Sequence, residues 1–520
     1  MELLDITADA NRIPLPTGAF DLGDTLIESM WGHRLWHRQT PWLILLEFLI
    51  VAEALQEQGV PFCDDENSNA IPEKYRVKKR LFLRYLLFRN PEIDQFTTRR
   101  WSDEETWSKW IDYFKPRLPE EGVNAAPEFL RGNFKRFSDF AAAVKLLRET
   151  AVDARSTKKR ASPFVFPFGP SALYEDLDAR LKSDRTVFGR TGELLYMMLR
   201  RSGLCSELSP LIAEFLASDT PNNLLLRKLQ PPDQPGSGDF KPIGYLPYKT
   251  HPAFRRLAED WLSIHKLKLP GFDAYQHYAP LATFHLLLYQ TETAAAWTKD
   301  PNVFFVCEVI ADRPEAIRQQ SIRSFQRNES RTRDAIAGAM ASLFEHEEWK
   351  KIVAPDSDLP ADEQVTEALA FLNQRIGLDG KELQPASSIA ALTELLNDRF
   401  GRKLDDNIGL LHRDYGKSCG FINKRSARSL RYAPTDSLLK TLVLANVETR
   451  LELQDFLRRL YDRYRLVFGP DEAELVEGAD FEGAVFKNNS KRLEDRLKSM
   501  GMLNRLSDGV AFVENPIRDR

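Results

Sequence analysis

Cysteine is scarce in this chain: Cys63, Cys205, Cys307 and Cys419 are the four in 520 residues, and no two form a CxxC pair. That spacing argues against a zinc ribbon, and so few scattered thiols suit a reducing cytoplasm. Long apolar runs are missing too. The longest, Pro41 to Leu55, is interrupted by Glu47 and Glu53 and is too short to span a bilayer, so no membrane contact is expected. The opening residues Met1-Glu2-Leu3-Leu4-Asp5 lack the basic-then-apolar order of a signal peptide. A cytoplasmic protein is the expectation. No charge of one sign dominates. The net charge is −4, so any affinity for nucleic acid must come from local patches and not from a global field. Internal repeats and low-complexity tracts are absent.

Catalytic motifs are absent as well, although several segments come near one. Gly416-Lys417-Ser418 ends like a phosphate-binding loop, but Leu411 stands where the pattern needs glycine. The same stretch, Gly416 to Gly420, fits the letters of a nucleophile elbow; polar residues precede it where a buried strand is required. His33 and His37 are one helical turn apart, with Arg34 where a zinc protease carries glutamate. Asp21-Leu22-Gly23-Asp24-Thr25 reads as a capping turn. No catalytic residue, metal ligand or cofactor is assigned from the sequence.

Helical signals fill most of the chain. Thr40-Pro41-Trp42 opens a helix, with threonine to cap and proline at the first position. A second helix is expected from Tyr75 to Phe88, with Lys78, Lys79, Arg80 and Arg84 along it; with Arg76, Arg99, Arg100 and Trp101 these basic residues could form a nucleic-acid surface. Ser102 followed by Asp103-Glu104-Glu105 looks like a cap with acids in the first turn. Texture changes at the charge run 155–160 and at Pro163 to Pro170, which cannot be a helix. Residues 231–238 form the clearest loop. Two aromatic-rich helices follow, Pro252 to His265 and Tyr278 to Thr291, and Asn302 to Ile310 is the best strand candidate. The expected organisation is an N-terminal helical domain (1–160), a helical middle domain (161–300), a strand-plus-helix segment (301–406) and a basic arm with a terminal domain (407–520).

The last segment is the most informative. Arg413, Lys417, Lys424, Arg425, Arg428 and Arg431 crowd into a stretch with a single acid, Asp414, among them. A helix capped by Thr435 and Asp436 follows, then one opened by Thr449. A third helix is expected from Asn489 or Ser490, with Leu493 and Leu497 inward and Lys491, Arg492, Arg496 and Lys498 outward. Gly501 ends it, and two short strands flank Ser507-Asp508-Gly509. Helix, helix, capped basic helix and hairpin is the order of a winged helix-turn-helix, whose third helix enters the DNA major groove in DNA binders. The fold class expected is therefore mainly α, multi-domain, with a C-terminal winged helix. The residues expected to contact phosphate are Arg413, Lys417, Lys424, Arg425, Arg428, Arg431, Lys491, Arg492 and Arg496.

The run Leu430-Arg431-Tyr432-Ala433-Pro434-Thr435-Asp436-Ser437-Leu438-Leu439-Lys440, with Arg492-Leu493-Glu494, Leu497 and Gly501-Met502-Leu503, resembles the C-terminal portion of large proteins of bacterial anti-phage defence islands. Non-catalytic components of methylation-associated defence systems are the nearest in kind. The resemblance covers the last quarter of the chain. It implies DNA and proteins of the same system as partners and carries over no catalytic residue. The reading is a non-catalytic DNA-binding or adaptor subunit. Its rivals are a protein scaffold that docks through the winged helix and a metal-dependent nuclease whose carboxylates meet only in space.

Overall fold

The computed structural model describes residues 7–14, 25–63, 74–118, 126–152, 163–175, 189–231, 240–270, 272–300, 302–310, 316–354, 359–376, 378, 386–424, 429–476, 481–507 and 510–517. The capping turn at 21–24, the charge run 155–160, most of the 231–238 loop and the hairpin tip at 508–509 lie outside the described residues. The protein is mainly helical with short strands, as the sequence pattern predicts. Among the described residues no helix is long and apolar enough to cross a membrane. Packing divides the chain into two compact units: residues 1–41, 197–205 and 244–520, and residues 42–196 and 206–243. Cys307 and Cys419 are free and buried.

In the 42–196/206–243 unit, helix Pro41–Glu57 starts at the expected proline and is buried on every side from Leu43 to Leu55. Its two carboxylates are used internally. Glu47 accepts the backbone N–H groups of Arg190 (2.9 Å) and Gly192 (2.8 Å), and Glu53 pairs with Arg80 at 2.7 Å. The helix expected from Tyr75 begins only at Leu81. Lys74–Arg76 is instead a strand, antiparallel to Phe240–Pro242, and Arg80 sits in the left-handed region at φ 41. Part of the basic surface expected there is paired within the protein, whereas Arg99, Arg100 and Trp101 are exposed. Lys78 pairs with Glu57 at 2.5 Å, and Arg84 is buried and donates to the Glu175 carbonyl at 3.2 Å. Ser102 forms the expected cap, a reciprocal box with Glu105. Behind it Trp107, Trp110, Phe114, Phe137 and Phe140 build the aromatic core.

In the other unit, helix Tyr275–Trp297 carries apolar residues around most of its circumference and is buried accordingly. Helices Pro252–Lys266, Ala316–Glu345 and Gly409–Ser418 pack on it. The expected strand at 302–310 is an extended segment in which Phe305–Val306 pairs parallel to Leu466–Val467. Beyond it the Glu308 N–H reaches the Tyr432 carbonyl at 2.9 Å and the Val309 N–H reaches the Asn489 side chain at 2.8 Å.

The C-terminal elements run helix Asp436–Asn446, strand Arg450–Glu452, helix Leu453–Tyr464, strand Leu466–Val467, short helix Pro470–Glu474, helix Gly483–Ser499, and strands Leu503–Arg505 and Ala511–Glu514. Thr435 caps the first helix by accepting the Leu438 N–H. The final strand lies between the other two members of an antiparallel sheet, so Val513 faces both Leu451 and Leu503. Gly501 takes φ 70, as expected for the residue that ends the preceding helix.

Candidate nucleic-acid interface

The helix Gly483–Ser499 starts six residues before the expected Asn489, and Glu482 at its N-cap makes no side-chain capping bond. Asn489 is no cap. It is fully buried, donates to the carbonyls of Cys307 and Phe468 (both 2.9 Å) and accepts the Val309 N–H. With Phe486, Leu493 and Leu497 it forms the inward face, at spacings of three, four and four residues. The opposite face is exposed and carries Lys487, Asn488, Lys491, Asp495 and Lys498. Three lysines against one aspartate leave it a net charge of +2. Glu494 is turned aside and pairs with Arg505 of the next strand at 2.7 Å.

The nine expected phosphate contacts fare differently. Lys491 is exposed on the outer face. Arg492 is half-buried on its flank. Arg496 is turned toward the start of helix Asp436–Asn446, where its Nε bonds the Asp436 carboxylate. Arg431 is the plainest correction. Only 1 % of it is exposed, and its guanidinium is paired with Glu308, itself also held by Arg318 at 2.9 Å. A phosphate cannot reach it. The described parts of the expected basic arm are ordered: residues 409–418 are helical, and 422–423 pair antiparallel with 431–432. Arg413 bonds the neighbouring Asp414 at 2.9 Å, while Lys417 is exposed. Both Arg413 and Lys417 offset the effect of burial on Glu329 of helix Ala316–Glu345, whose pKa burial raises. Lys424 is exposed. Arg425 and Arg428 lie outside the described residues. The described cations Arg413, Lys417, Lys424 and Arg431 and those of 487–498 thus sit on separate elements.

Two clusters that the sequence analysis did not find anchor this region. Asp260, fully buried, accepts from His285 Nε2 (2.7 Å), Tyr464 (2.7 Å) and Arg463 (2.5 Å), and Asn446 donates to the Tyr464 hydroxyl at 2.9 Å. Burial alone would raise the Asp260 pKa; His285, Arg463 and Tyr464 outweigh it and hold the carboxylate below its ordinary range. Burial also lowers His285, so the imidazole is neutral and donates. The second cluster is Thr291, His412, Tyr432 and Asn328, in which His412 touches Thr291 (3.1 Å) and Tyr432 (2.7 Å). The members of each cluster lie far apart in the chain, and each looks like an ordinary helix residue on its own. Lys487 was missed for a local reason, because the helix begins without a capping side chain.

His33 bonds Glu28 at 2.6 Å and His37 bonds Asn407 at 3.0 Å. Among the described residues no group of three or more His, Cys, Asp or Glu side chains is placed to hold a metal ion.

Comparison with protein-family models, curated proteins and solved structures found no match.

Proposed function

We propose that residues 435–515 form a winged helix-turn-helix whose third helix sets Lys487, Lys491 and Lys498 against a nucleic-acid backbone. The protein would then act as a non-catalytic DNA-binding or adaptor subunit of a bacterial anti-phage defence assembly. The connectivity supports the first part: helix, strand, helix, then a two-residue strand and a short helix, the lysine-bearing helix, and a hairpin whose last strand pairs with strand Arg450–Glu452. The single observation that carries the nucleic-acid part is the exposed lysine face of helix Gly483–Ser499, opposite its buried side. The defence assignment rests on the resemblance of 430–440 and 492–503.

Three lysines make a modest electrostatic contact. Neutralising three phosphates gives a salt slope of about −2.7, or a loss of about 40-fold in affinity between about 50 and 200 mM salt. Fluorescence anisotropy with a short labelled duplex tests this. A slope of that size, flattened when Lys487 and Lys491 are changed to glutamate, supports the reading. Absence of duplex binding at the lower salt rejects it.

A second reading, docking of a protein partner, is favoured by the pairs Arg496–Asp436 and Arg505–Glu494, which tie up cations beside the lysine face. Under it, purification recovers a stable protein complex free of nucleic acid, and the lysine-to-glutamate changes break that complex.

A further inference from the structure

A polar cleft of about 550 Å³ opens where the end of helix Asp436–Asn446 and strand Arg450–Glu452 meet helices Leu453–Tyr464 and Pro252–Lys266. That volume is in the range of small-molecule sites. Arg450, Arg459 and Arg463 line it, with the hydroxyls of Thr449 and Ser263 and one carboxylate, Glu448.

The three arginines are held in different ways, and the difference decides what the cleft can bind. Arg463 bonds Glu259 (2.8 Å) and Asp260 (2.5 Å), so its charge is spent within the protein. Arg459 is held by a neutral group, donating one N–H to the Asn446 carbonyl at 2.7 Å. Arg450 is exposed and lies over the Phe512 ring, 4.0 Å from its centroid. Among the described residues neither Arg450 nor Arg459 has a carboxylate at ion-pair distance. Two guanidinium groups are thus held without a carboxylate partner, and Glu448 is the one acid lining the cleft. Oriented arginine forks match the geometry of phosphate oxygens, and a threonine hydroxyl adds a donor. The walls are too polar for an apolar ligand and the space too large for a lone ion.

We propose that this cleft binds a phosphate-bearing small molecule of nucleotide size, with Arg450 and Arg459 on its phosphate oxygens. The site is independent of the lysine face and does not rest on the winged-helix reading. A nucleic-acid backbone carries the same phosphate chemistry, so the experiment separates the two sources.

The full chain is titrated by calorimetry with inorganic pyrophosphate and with AMP, and in parallel by anisotropy with a short duplex. The expected result is saturable binding of both small probes at one site. Arg450→Ala and Arg459→Ala each weaken it by about tenfold, the loss of one or two charge-assisted bonds. Lys491→Glu leaves it unchanged. Arg450→Ala removes a side chain that rests on a ring at the surface, so it reports on the site even where Arg459→Ala unfolds the helix end. No saturable binding of either probe, or unchanged binding in folded Arg450→Ala, overturns the proposal. So does an AMP-silent site at which duplex displaces pyrophosphate and Arg450→Ala weakens the duplex, since the phosphate then belongs to a nucleic acid.

Discussion

The side-chain carbonyl of Asn489 accepts the backbone N–H of Val309 at 2.8 Å, across 180 residues of sequence. The same amide donates to Cys307 and Phe468, so one side chain satisfies three buried backbone groups in two segments. The candidate recognition helix is thereby fixed to the extended segment 302–310, not only to its own module. Asn489→Leu leaves those three groups without partners and costs on the order of 3 kcal/mol or more. Urea denaturation of the full chain measures it, and a change under about 0.5 kcal/mol, the scale of an ordinary surface substitution, removes the anchor from the account.

Arg431 and Glu308 make a second long-range tie, this one ionic and closed to solvent. Arg431→Ala leaves Glu308 buried with Arg318 as its remaining partner and is expected to destabilise by about 3–5 kcal/mol. Affinity of the remaining folded protein for duplex DNA stays as it was. A substitution that weakens DNA binding at full stability would return Arg431 to the interface.

Acid should destabilise the protein through its buried histidines. Burial pushes His412 down to about 3 and His277 to about 4, and lowers His251 and His285 as well. The unfolded residues titrate near 6.5, so below about pH 6.5 the unfolded chain takes up protons that the native chain refuses. Stability is therefore intact above that pH and falls as pH drops toward the folded values, by up to about 1.4 kcal/mol per pH unit for each histidine. Glu472, pushed up to about 7 by burial, works in the opposite sense and cancels roughly one of them over the upper part of this range. His412→Gln cannot take up that proton and should flatten the slope by about one group. A stability curve level between pH 7 and pH 5 contradicts the scheme.

Gly192 is required by contact, not by turn geometry. A Cβ there would lie 2.2 Å from the Glu47 Cβ and 2.5 Å from the Phe48 nitrogen. Gly192→Ala must push helix Pro41–Glu57 away from the loop whose N–H groups Glu47 holds, at a cost of about 3 kcal/mol. The measure is the shift in the urea midpoint; a wild-type midpoint would mean that residue 192 and helix Pro41–Glu57 are not in tight contact.

Local signals were read well where a few neighbouring residues suffice. The Ser102–Glu105 box, the Thr435 cap and the left-handed Gly501 are each set by sterics and hydrogen bonds within one turn. Errors came where a distant partner decides. Residues 75–76 look helical alone and become part of a strand because Phe240–Pro242 supplies the other half of the ladder. The sequence pattern places the start of the basic helix too late because Glu482 gives no capping signal.

What the chain determines by itself is periodicity: which residues of each helix turn inward, and where helices stop. Leu493 and Leu497 had to be buried, whatever they packed against. What only tertiary structure decided is the fate of the charges. Arg431 and Lys491 are both cations near the C-terminus, yet one is sealed against Glu308 and the other faces solvent. A charge can be buried only where an opposite charge waits to compensate its lost hydration, and whether residue 308 lies beside residue 431 is a property of the folded chain.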